Sequence, residues 1–462
     1  MDLNSFKSKK ITIMGLGLHG GGVGVAKFFC KLGARVLVTD LKSKRKLAPS
    51  LKKLKNFKIE YVLGRHRKKD FKTANLIIKN PAVSPNSSFL EIARKNKIPI
   101  ENQTNLFFKL CPGEIIGVTG TKGKSTVATL IYKLLTSEYK KVILAGNIGV
   151  PVLEKLREID KNTIVVLELS SFQIEDLKKS PKIAVITNIL EDHLNRYKNI
   201  KEYAKAKERI FRYQGPEGFL ILNYDNKRAR SLAKKAKGKV YFFSRKKPFK
   251  TETYLKGDEI FFGNKEICKT NDIKLKGRHN IENILAAVTV AKIKKVPSEK
   301  IRKVLKRFRG LPSRLEFVKK INGVFFYNDT CATNPQATIA ALNAFKNKVI
   351  LIAGGAEKNL CFEDLSKEIL EKVKVLVLLE GEATERLKRK LKEVSKKSNK
   401  VLPIKIAKSM KEAINFSFKI VEKNDIVLLS PACSSFGMFL HEFDRGKQFN
   451  KAVMSLEKKG VH

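Results

Sequence analysis

Residues 117–126 constrain the possible fold more than any other part of the chain. They read Gly-Val-Thr-Gly-Thr-Lys-Gly-Lys-Ser-Thr, and they lie between an apolar run (Ile115, Ile116) and a segment with apolar residues at helical spacing (Val127, Leu130). A strand, a glycine turn and a helix in this order let backbone N–H groups converge on a phosphate at the helix N-terminus. The sequence therefore predicts an α/β domain built around a polyphosphate, which we interpret as ATP.

The polar residues of this turn suit a triphosphate with its metal ion. Lys124 can neutralise the terminal phosphates, and the hydroxyl of Ser125 or Thr126 can bind Mg²⁺. The strict P-loop pattern is not met, because Val118 stands five positions before Gly123, where a glycine is usual. A turn without function is the alternative, but three glycines, two lysines and two hydroxyls favour a variant phosphate loop.

Length and charge limit the class of protein. The 462 residues suit about three domains at the usual ~150 residues each. A formal charge of +51, from 95 Lys and Arg against 44 Asp and Glu, would favour a polyanionic partner. The basic residues are spread along the whole chain, however, without the basic tail or aromatic-interleaved stripe of a nucleic-acid module. We interpret the charge mostly as surface bias and expect no nucleic-acid partner, with a nucleic-acid-binding ATPase as an alternative.

Cysteine usage and hydropathy indicate the compartment. The six cysteines are scattered without a C-x-x-C pair, and several stand in apolar runs, so we expect reduced core residues. The first ten residues are polar and basic. No apolar segment approaches the ~18 residues of a membrane span. The sequence thus predicts a cytoplasmic protein without a signal segment or a membrane span.

A second glycine motif stands near the N-terminus. An apolar run at 11–14 leads into Gly15-Leu-Gly17-Leu-His-Gly20, which matches G-x-G-x-x-G in full, and a second predicted strand at 35–39 ends in Asp40. In a dinucleotide-binding fold this acidic residue binds a ribose. The residues alone fit an NAD site and a nucleotide-sugar pocket equally well, so an NAD-dependent oxidoreductase is a competing hypothesis.

Turn residues divide the chain into three predicted α/β domains. Pro112-Gly113 marks the first boundary and Arg309-Gly310-Leu311-Pro312 the second, which gives domains 1–110, 111–309 and 310–462. The alternating segment 317–327 around Asn322-Gly323 predicts a β-hairpin. The other predicted strands are 75–79, 99–101, 114–116, 142–145, 163–169, 184–188, 219–222, 240–243, 349–352, 375–379 and 426–429.

Polar residues follow several of these strands. Glu168 ends a strand near the phosphate loop, where α/β folds place a Mg²⁺ ligand, although an exposed strand-end glutamate is an equal alternative. Asp192 and His193 follow the strand at 184–188. Lys207 lies on a basic helix, for which a solvated face is the plain interpretation.

Together these stretches resemble the Mur ligase family over nearly the whole chain, most closely the members that add D-glutamate. The matching motifs stand in the family order. They are Gly-Thr-x-Gly-Lys-Ser at 120–125, Gly-Asn-Ile-Gly at 146–149, Glu-x-Ser-Ser-Phe-Gln at 168–173, Asp-His at 192–193, Gly-x-His-Asn-x-x-Asn at 277–283, Leu-Pro-x-Arg-x-Glu at 311–316, Asp-x-x-Ala-Thr-Asn at 329–334 and Ser-Pro-Ala-Cys at 430–433.

The resemblance implies a fold and an activity. The fold would comprise an N-terminal Rossmann-like UDP-binding domain, a central P-loop ATPase-like domain and a C-terminal Rossmann-like domain that binds the amino acid. The activity would be an ATP- and Mg²⁺-dependent amide ligation in peptidoglycan precursor synthesis. It would join D-glutamate to UDP-N-acetylmuramoyl-L-alanine through an acyl phosphate, in a monomeric enzyme.

The resemblance also implies roles for individual residues, with Lys207 expected to be carbamylated. The implied catalytic residues are Lys124, Asp192, His193 and Lys207. The implied ATP-binding residues are Gly120, Thr121, Lys122, Gly123, Lys124, Ser125, Thr126, Asn280, Arg314 and Asp329. The implied UDP-substrate residues are Leu18, His19, Gly20, Asp40, Lys42, Asn147 and Gln173. The implied amino-acid-binding residues are Thr333, Lys358, Ser435 and Phe436. The implied Mg²⁺ ligands are Ser125, Thr126, Glu168, His193 and Lys207.

The chain departs from the family pattern on the amino-acid side. Cys331 replaces the usual lysine of Asp-Ser-Lys-Ala-Thr-Asn, which removes one expected cationic contact, whereas Lys358 keeps the other. The order Glu442-Phe443 is also reversed relative to the commoner Phe-Glu.

Overall fold

The computed structural model describes residues 3–18, 20–147, 152–192, 196–246, 251–275, 277–356, 360–435 and 437–457. Three separate sheets of five, nine and six strands, with helices between the strands, confirm the α/β class. The chain forms two compact units. The first comprises Met1–Thr270 and Glu282–Val304, and the second comprises Asn271–Ile281 and Leu305–His462. The boundaries at 110/111 and 309/310 stay predictions.

The first sheet is wholly parallel and has the order β3-β2-β1-β4-β5. Its strands are β1 (Lys10–Met14), β2 (Arg35–Asp40), β3 (Ile59–Leu63), β4 (Leu76–Lys79) and β5 (Ile100–Asn102). Its helices are α1 (Gly21–Lys31), α2 (Lys44–Lys52), α3 (Lys68–Lys72), α4 (Ser88–Lys95) and α5 (Gln103–Leu110). The strand order reverses between β1 and β4, so the glycine loop after β1 lies at the switch point where open α/β sheets bind ligands.

The second sheet also belongs to the first unit and has the order β14-β13-β12-β11-β10-β9-β6-β8-β7. Its strands are β6 (Glu114–Thr119), β7 (Val142–Gly146), β8 (Ile164–Glu168), β9 (Ile183–Ile186), β10 (Phe219–Asn223), β11 (Lys239–Ser244), β12 (Thr253–Lys256), β13 (Glu259–Phe262) and β14 (Lys265–Lys269). The helices along this part of the chain are α6 (Lys124–Leu135), α7 (Ser171–Ile174), α8 (Ile200–Glu208), α9 (Lys227–Ser231), α10 (Arg278–Ile293) and α11 (Ser298–Arg307). The phosphate-loop strand β6 lies between β8 and β9, so residues that end these three strands share one edge of the sheet.

The third sheet forms the centre of the second unit, in the order β15-β16-β20-β17-β18-β19. Its strands are β15 (Glu316–Ile321), β16 (Val324–Asn328), β17 (Val349–Gly354), β18 (Val373–Leu379), β19 (Ile404–Ala407) and β20 (Ile426–Leu429). Its helices are α12 (Pro335–Leu342), α13 (Glu363–Lys372), α14 (Glu382–Ser398), α15 (Met410–Ile420) and α16 (Glu442–Glu457). The predicted hairpin is confirmed: β15 and β16 pair antiparallel, and Asn322 and Gly323 both have positive φ, as a tight two-residue turn requires.

Burial explains most of the strand predictions and their omissions. The strands β4, β9 and β17 are buried along their whole length, and their continuous apolar runs identify them in the sequence. Strand β3, which was not predicted, exposes Glu60 and Tyr61 at the edge of its sheet. The other strands without a prediction are β12, β13, β14 and β19, which have only four or five residues each.

The cysteines and the hydropathy pattern have clear outcomes. All six cysteines are free thiols, as expected. Their expected place in the core is wrong for most of them, because only Cys268 and Cys433 are buried and Cys361 is exposed. Among the described residues, every helix is too short or too polar to cross a membrane.

Candidate functional site

The phosphate loop has the predicted strand, turn and helix, since β6 ends at Thr119 and α6 begins at Lys124. Gly120 has φ +146°, and a Cβ atom there would lie 1.9 Å from Oγ1 of Thr187. Gly123 has φ +85°, and a Cβ atom there would lie 2.2 Å from Oδ1 of Asn283. Only glycine fits both positions, because a side chain would strain the backbone and collide with a neighbouring element.

Residues that follow β9 hold this loop in place. The N–H of Thr121 donates to the carbonyl oxygen of Asn188, and the N–H of Lys122 donates to Oδ1 of Asn188, each over 2.9 Å. The hydroxyl of Thr187 donates to the carbonyl oxygen of Lys122 over 2.6 Å. The sequence analysis assigned no role to Thr187 or Asn188. Their only signal was a polar pair at the end of a buried strand, and the strand order β9-β6 was needed to place them.

Lys124 lies over the loop that a triphosphate would occupy. Its ammonium donates to the carbonyl oxygens of Gly120 and Thr121 over 3.0 and 2.9 Å. Ser125 and Thr126, in the first turn of α6, are both buried. The helix N-terminus, one ammonium and two hydroxyls thus converge at one edge of the sheet, an arrangement that suits a polyphosphate and a divalent cation.

Lys207 is the most unusual side chain near the loop. Only 1% of the residue is exposed, and its Nζ donates to the carbonyl oxygen of Gly120 over 2.9 Å, above the ring of Tyr203. The interpretation of this helix as a solvated face is therefore wrong at Lys207. Burial, and then the nearby Lys124 ammonium, lower the pKa of Lys207 well below its usual value. The fold favours the neutral amine, which is the nucleophilic form of lysine.

Glu168 is also buried, with 1% of the residue exposed, so the alternative of an exposed strand-end glutamate is wrong. Its Oε1 accepts a 3.1 Å hydrogen bond from Nδ2 of Asn147, whereas its buried Oε2 has no hydrogen-bond partner among the residues that the structure describes. The backbone register pairs Glu168 with Val118 of β6, next to the phosphate loop. A buried carboxylate oxygen without a donor fits a cation ligand. Within the described residues, no three His, Cys, Asp or Glu side chains form a metal cluster.

The other predicted residues of the first unit have mixed placements. Asp192 lies 3.8 Å from the Lys122 ammonium through its Oδ2. The Oε1 of Gln173 accepts hydrogen bonds from the N–H and the hydroxyl of Ser170, which caps the short helix α7. His19 and His193 lie outside the described residues.

Asp40 organises the N-terminal glycine loop. Its Oδ2 accepts hydrogen bonds from the backbone N–H groups of Leu16 and Gly17 over 2.9 and 3.1 Å. Its Oδ1 accepts one from the backbone N–H of Lys42 over 2.8 Å. Leu18, in the same loop, is 42% exposed. The carboxylate therefore fixes the loop backbone; its predicted contact with UDP stays a prediction.

We expect Asp40→Asn to weaken binding of a UDP substrate, because one amide oxygen cannot accept all three N–H bonds. Losing a charge-assisted hydrogen bond should raise the KM for that substrate about tenfold and leave the KM for ATP unchanged. Steady-state kinetics with each substrate varied in turn would measure this. Glu60→Gln, at an exposed position of β3, is the matched control. Equal changes in both KM values would contradict the local role of Asp40.

The second unit holds its own buried polar cluster, around Asp329. Oδ2 of Asp329 accepts a 2.9 Å hydrogen bond from the Ser430 hydroxyl, and its Oδ1 accepts a 3.1 Å bond from the N–H of Leu315. Burial raises the pKa of Asp329 to about 7, against these hydrogen bonds and the charge of Arg314. Burial also raises the pKa of Cys331 to about 11, so this thiol is neutral at neutral pH.

This raised pKa predicts a pH dependence of stability. The folded state favours protonated Asp329, so its contribution is fully present below the unfolded value of 3.8 and is lost as pH rises towards about 7. We expect the melting temperature of wild-type protein to decrease over this range more than that of Asp329→Asn, which cannot ionise. Thermal melts across pH would measure the slopes. Asp364→Asn, at an exposed position of α13, should keep the wild-type slope; identical slopes for all three proteins would refute the prediction.

Arg445 is a buried cation of the second unit that the sequence analysis missed. It is fully buried, and it donates to the hydroxyl and the carbonyl oxygen of Thr330 over 3.0 and 2.9 Å. It also donates to the carbonyl oxygens of Cys433 and Ser434 over 3.3 Å. Arg445 therefore joins the loop after β16 to the loop after β20. Apart from its charge, no sequence signal marked it.

The remaining predicted residues of the second unit have separate placements. Ser435 is buried and directly follows Ser434. Asn280 is buried in the first turn of α10. Lys358 and Phe436 lie outside the described residues. The structure thus places Lys124 and Lys207 at the phosphate loop and Asp40 at the N-terminal glycine loop. Asp329 lies in a buried polar cluster of the second unit.

Three family models match successive segments of the chain. Residues 9–102 match the profile of the MurD-like N-terminal domain of Mur ligases, residues 118–291 the Mur ligase middle domain, and residues 313–433 the Mur ligase glutamate ligase domain.

Curated relatives match the chain over its full length. A UDP-N-acetylmuramoylalanine–D-glutamate ligase of Roseiflexus sp. (strain RS-1) is 43% identical and is aligned over 97% of this chain and 98% of its own length. The ligase of the same name from Acetivibrio thermocellus is 40% identical, over 98% of this chain and 99% of its own length.

Solved structures share the fold at low sequence identity. A UDP-N-acetylmuramate-alanine ligase from Thermotoga maritima aligns with a TM-score of 0.65 at 21% identity, over 97% of this chain and all of its own. A MurF ligase from the same organism, in complex with ADP, aligns with a TM-score of 0.60 at 17% identity over both full chains. These similarities concern the fold alone.

Proposed function

The chain belongs to the Mur ligase family, and from this premise we propose that it adds D-glutamate to UDP-N-acetylmuramoyl-L-alanine in peptidoglycan precursor synthesis. The reaction consumes ATP and releases ADP and phosphate. The choice of D-glutamate is supported by the full-length similarity to D-glutamate ligases at 43% and 40% identity. The main structural support for this reaction is the buried Lys207, whose Nζ donates a hydrogen bond to the Gly120 carbonyl oxygen in the phosphate loop.

The reaction has two displacement steps. A carboxylate oxygen of the substrate attacks the γ-phosphorus, the bond from that phosphorus to the bridging β–γ oxygen breaks, and ADP leaves. The amine of D-glutamate then attacks the acyl carbon, loses a proton, and expels inorganic phosphate as the amide forms. The protein acts mainly by positioning the reactants and by stabilising charge on the phosphoryl group and on the tetrahedral oxyanion.

The first unit contains the loop that would bind the triphosphate. We assign Lys124 to the β- and γ-phosphates, because its ammonium lies on the loop carbonyls beside the N-terminus of α6. The family resemblance also assigns Asn280, Arg314 and Asp329 to ATP. The remaining loop residues in this assignment are Gly120, Thr121, Lys122, Gly123, Ser125 and Thr126.

The donor set around the phosphate loop fits Mg²⁺, since it combines two buried hydroxyls with Oε2 of Glu168, which is unpaired within the described part of the chain. Ser125, Thr126 and Glu168 would hold one ion, and His193 with modified Lys207 would hold a second. When bound, Mg²⁺ neutralises phosphate charge and so lowers the barrier to phosphoryl transfer.

We propose that Lys207 is carbamylated. Its neutral amine would attack CO₂, forming an N–C bond and releasing a proton, and the product is an anionic carbamate. The carbamate is a carboxylate-like metal ligand, whereas a protonated Lys207 would repel both the metal and Lys124. Support comes from the burial of Lys207 and from its lowered pKa.

The two other substrates would occupy the loop-lined sheet edges. The UDP-substrate residues in this proposal are Leu18, His19, Gly20, Asp40, Lys42, Asn147 and Gln173. The amino-acid residues are Thr333, Lys358, Ser435 and Phe436. Because the Cys331 thiol is neutral, Lys358 would be the main cation for the glutamate side-chain carboxylate. We further propose a monomeric cytoplasmic enzyme. An NAD-dependent oxidoreductase would leave the phosphate loop and buried Lys207 without a role.

The test is to incubate the protein with Mg-ATP, UDP-N-acetylmuramoyl-L-alanine and single amino acids from a panel, followed by mass spectrometry of the nucleotide-sugar product. We expect D-glutamate addition with stoichiometric phosphate release and no nicotinamide absorbance change. Addition of L-lysine or diaminopimelate instead would overturn the D-glutamate assignment and keep the family.

A further inference from the structure

Arg196 makes three different contacts within the first unit. Its Nη1 donates a 3.0 Å hydrogen bond to the carbonyl oxygen of Pro81, and its Nη2 pairs with the carboxylate of Glu175. Its guanidinium carbon lies 4.3 Å from the centre of the Phe172 ring. A planar guanidinium has a fixed fork of donors and an apolar face, so it can make all three contacts at once, which a lysine ammonium cannot.

Each contact leads to a loop at the candidate site. Pro81 follows β4 of the first sheet, and the preceding Asn80 donates from Nδ2 to the carbonyl oxygen of Gly15, in the glycine loop. Phe172 and Glu175 flank Gln173, in the segment after β8. Arg196 itself follows Asp192 by four positions. One side chain therefore joins the loop of the first sheet to two loops of the second.

Aromatic residues extend these contacts to the phosphate loop. The hydroxyl of Tyr197 donates to Oε2 of Glu175 over 3.3 Å, and its ring centre lies 5.3 Å from that of Tyr203. The hydroxyl of Thr121, in the phosphate loop, donates to the Tyr203 hydroxyl over 3.4 Å. Packed side chains thus connect Arg196 to the loop that would hold the triphosphate.

We propose that Arg196 is a positioning residue that couples the UDP-substrate loops of the first sheet to the phosphate loop of the second. By joining Pro81 to Glu175 and Phe172, it aligns the substrate carboxylate with the γ-phosphate. This inference rests on the proposed function and adds a residue to which the family resemblance gave no role. Misplacement of a reacting group by ~1 Å costs about 100-fold in rate, so a small loop shift should have a large kinetic effect.

The test compares Arg196→Lys with Arg94→Lys. Arg94, on α4, donates over 2.7 Å to the carbonyl oxygen of Pro85, four residues after Pro81, but its side-chain partner, Glu91, lies on the same helix. For Arg196→Lys we expect kcat to fall about 100-fold and the KM for the UDP substrate to rise about tenfold. The affinity for the ATP analogue in the absence of the UDP substrate and the melting temperature should be unchanged. Arg94→Lys should keep wild-type kinetics.

A binding measurement without turnover gives the second readout. We expect UDP-N-acetylmuramoyl-L-alanine to tighten the binding of a non-hydrolysable ATP analogue to the wild-type protein, measured by calorimetry, and Arg196→Lys to lose this effect. Equal coupling in the wild type and in Arg196→Lys, or no coupling in the wild type, would overturn the inference. Equal kinetic losses in the two arginine variants would also overturn it, as would a lower melting temperature with both KM values raised alike. Absence of wild-type turnover would instead refute the proposed function, because the calorimetry needs no reaction.

Discussion

Lys124→Ala should abolish ATP-dependent ligation, with a loss of about 1,000-fold in kcat. The reason is that Lys124 is the ammonium on the phosphate loop itself, bonded to the carbonyl oxygens of Gly120 and Thr121. Its loss leaves charge on the transferring phosphoryl group without its closest cation in the loop. The measurement is phosphate release with all three substrates at saturation.

The matched control for this variant is Lys133→Ala, an exposed lysine further along the same helix α6. It removes one positive charge from the same element and should keep wild-type turnover. The UDP substrate should still bind to Lys124→Ala with wild-type affinity, because its proposed residues lie on other loops. Near-wild-type turnover of Lys124→Ala, or a similar loss of turnover in both lysine variants, would refute the assignment of Lys124 to the β- and γ-phosphates.

Lys207→Arg should lower turnover as much as Lys124→Ala, although arginine is a basic side chain of similar length to lysine. Arginine stays protonated and cannot form a carbamate, so the variant would bury a permanent cation next to Lys124 and lack the proposed anionic metal ligand. We expect kcat to fall at least about 1,000-fold, since a metal ligand and a charge balance are lost together. Incubation of the wild type with isotopically labelled CO₂ should label one lysine, and the variant should lack this label.

Lys205→Arg is the control for Lys207→Arg, because Lys205 is an exposed lysine on the same helix α8. It should keep both turnover and the CO₂ label. Melting temperatures separate a chemical loss from a failure to fold. A Lys207→Arg variant that folds and turns over at the wild-type rate would exclude carbamylation as part of the mechanism.

Local patterns in the sequence predict the phosphate loop well. Its glycines, its lysine and the helix that follows are adjacent in the chain. A local sequence pattern is therefore enough to predict the structure of the loop. The Asn322-Gly323 hairpin is predicted for the same reason. The family resemblance adds residues from distant segments, such as Lys207, whose Nζ lies on the phosphate loop.

The environment of Lys207 could not be predicted from its own helix. The segment around it reads as a basic, solvated surface, and only its packing against the Gly120 carbonyl and the Tyr203 ring, which brings the phosphate loop and the helix together, reveals the burial. Glu168 is a similar case, because its lack of exposure depends on the strand order around β8. Long-range packing, rather than local propensity, decides whether a charged residue is buried.

Residues that hold the loops in place cannot be recognised from a single sequence. Thr187, Asn188 and Arg445 act through hydrogen bonds to backbone groups on other elements, and such bonds leave no spacing pattern in a single sequence. Asp40 is an instructive case, since it was predicted as a ligand residue and the structure shows it fixing the glycine loop backbone.

Transfer of one oxygen atom from the substrate carboxylate to inorganic phosphate is the most direct test of an acyl-phosphate intermediate. If the protein activates a carboxylate by phosphorylation, substrate whose carboxylate carries two heavy oxygen atoms will yield inorganic phosphate with one heavy oxygen atom and an amide that keeps the other. Mass spectrometry of the released phosphate during D-glutamate addition would show this. Unlabelled phosphate alongside normal amide formation would mean that no acyl phosphate forms, and the account of this site would be wrong.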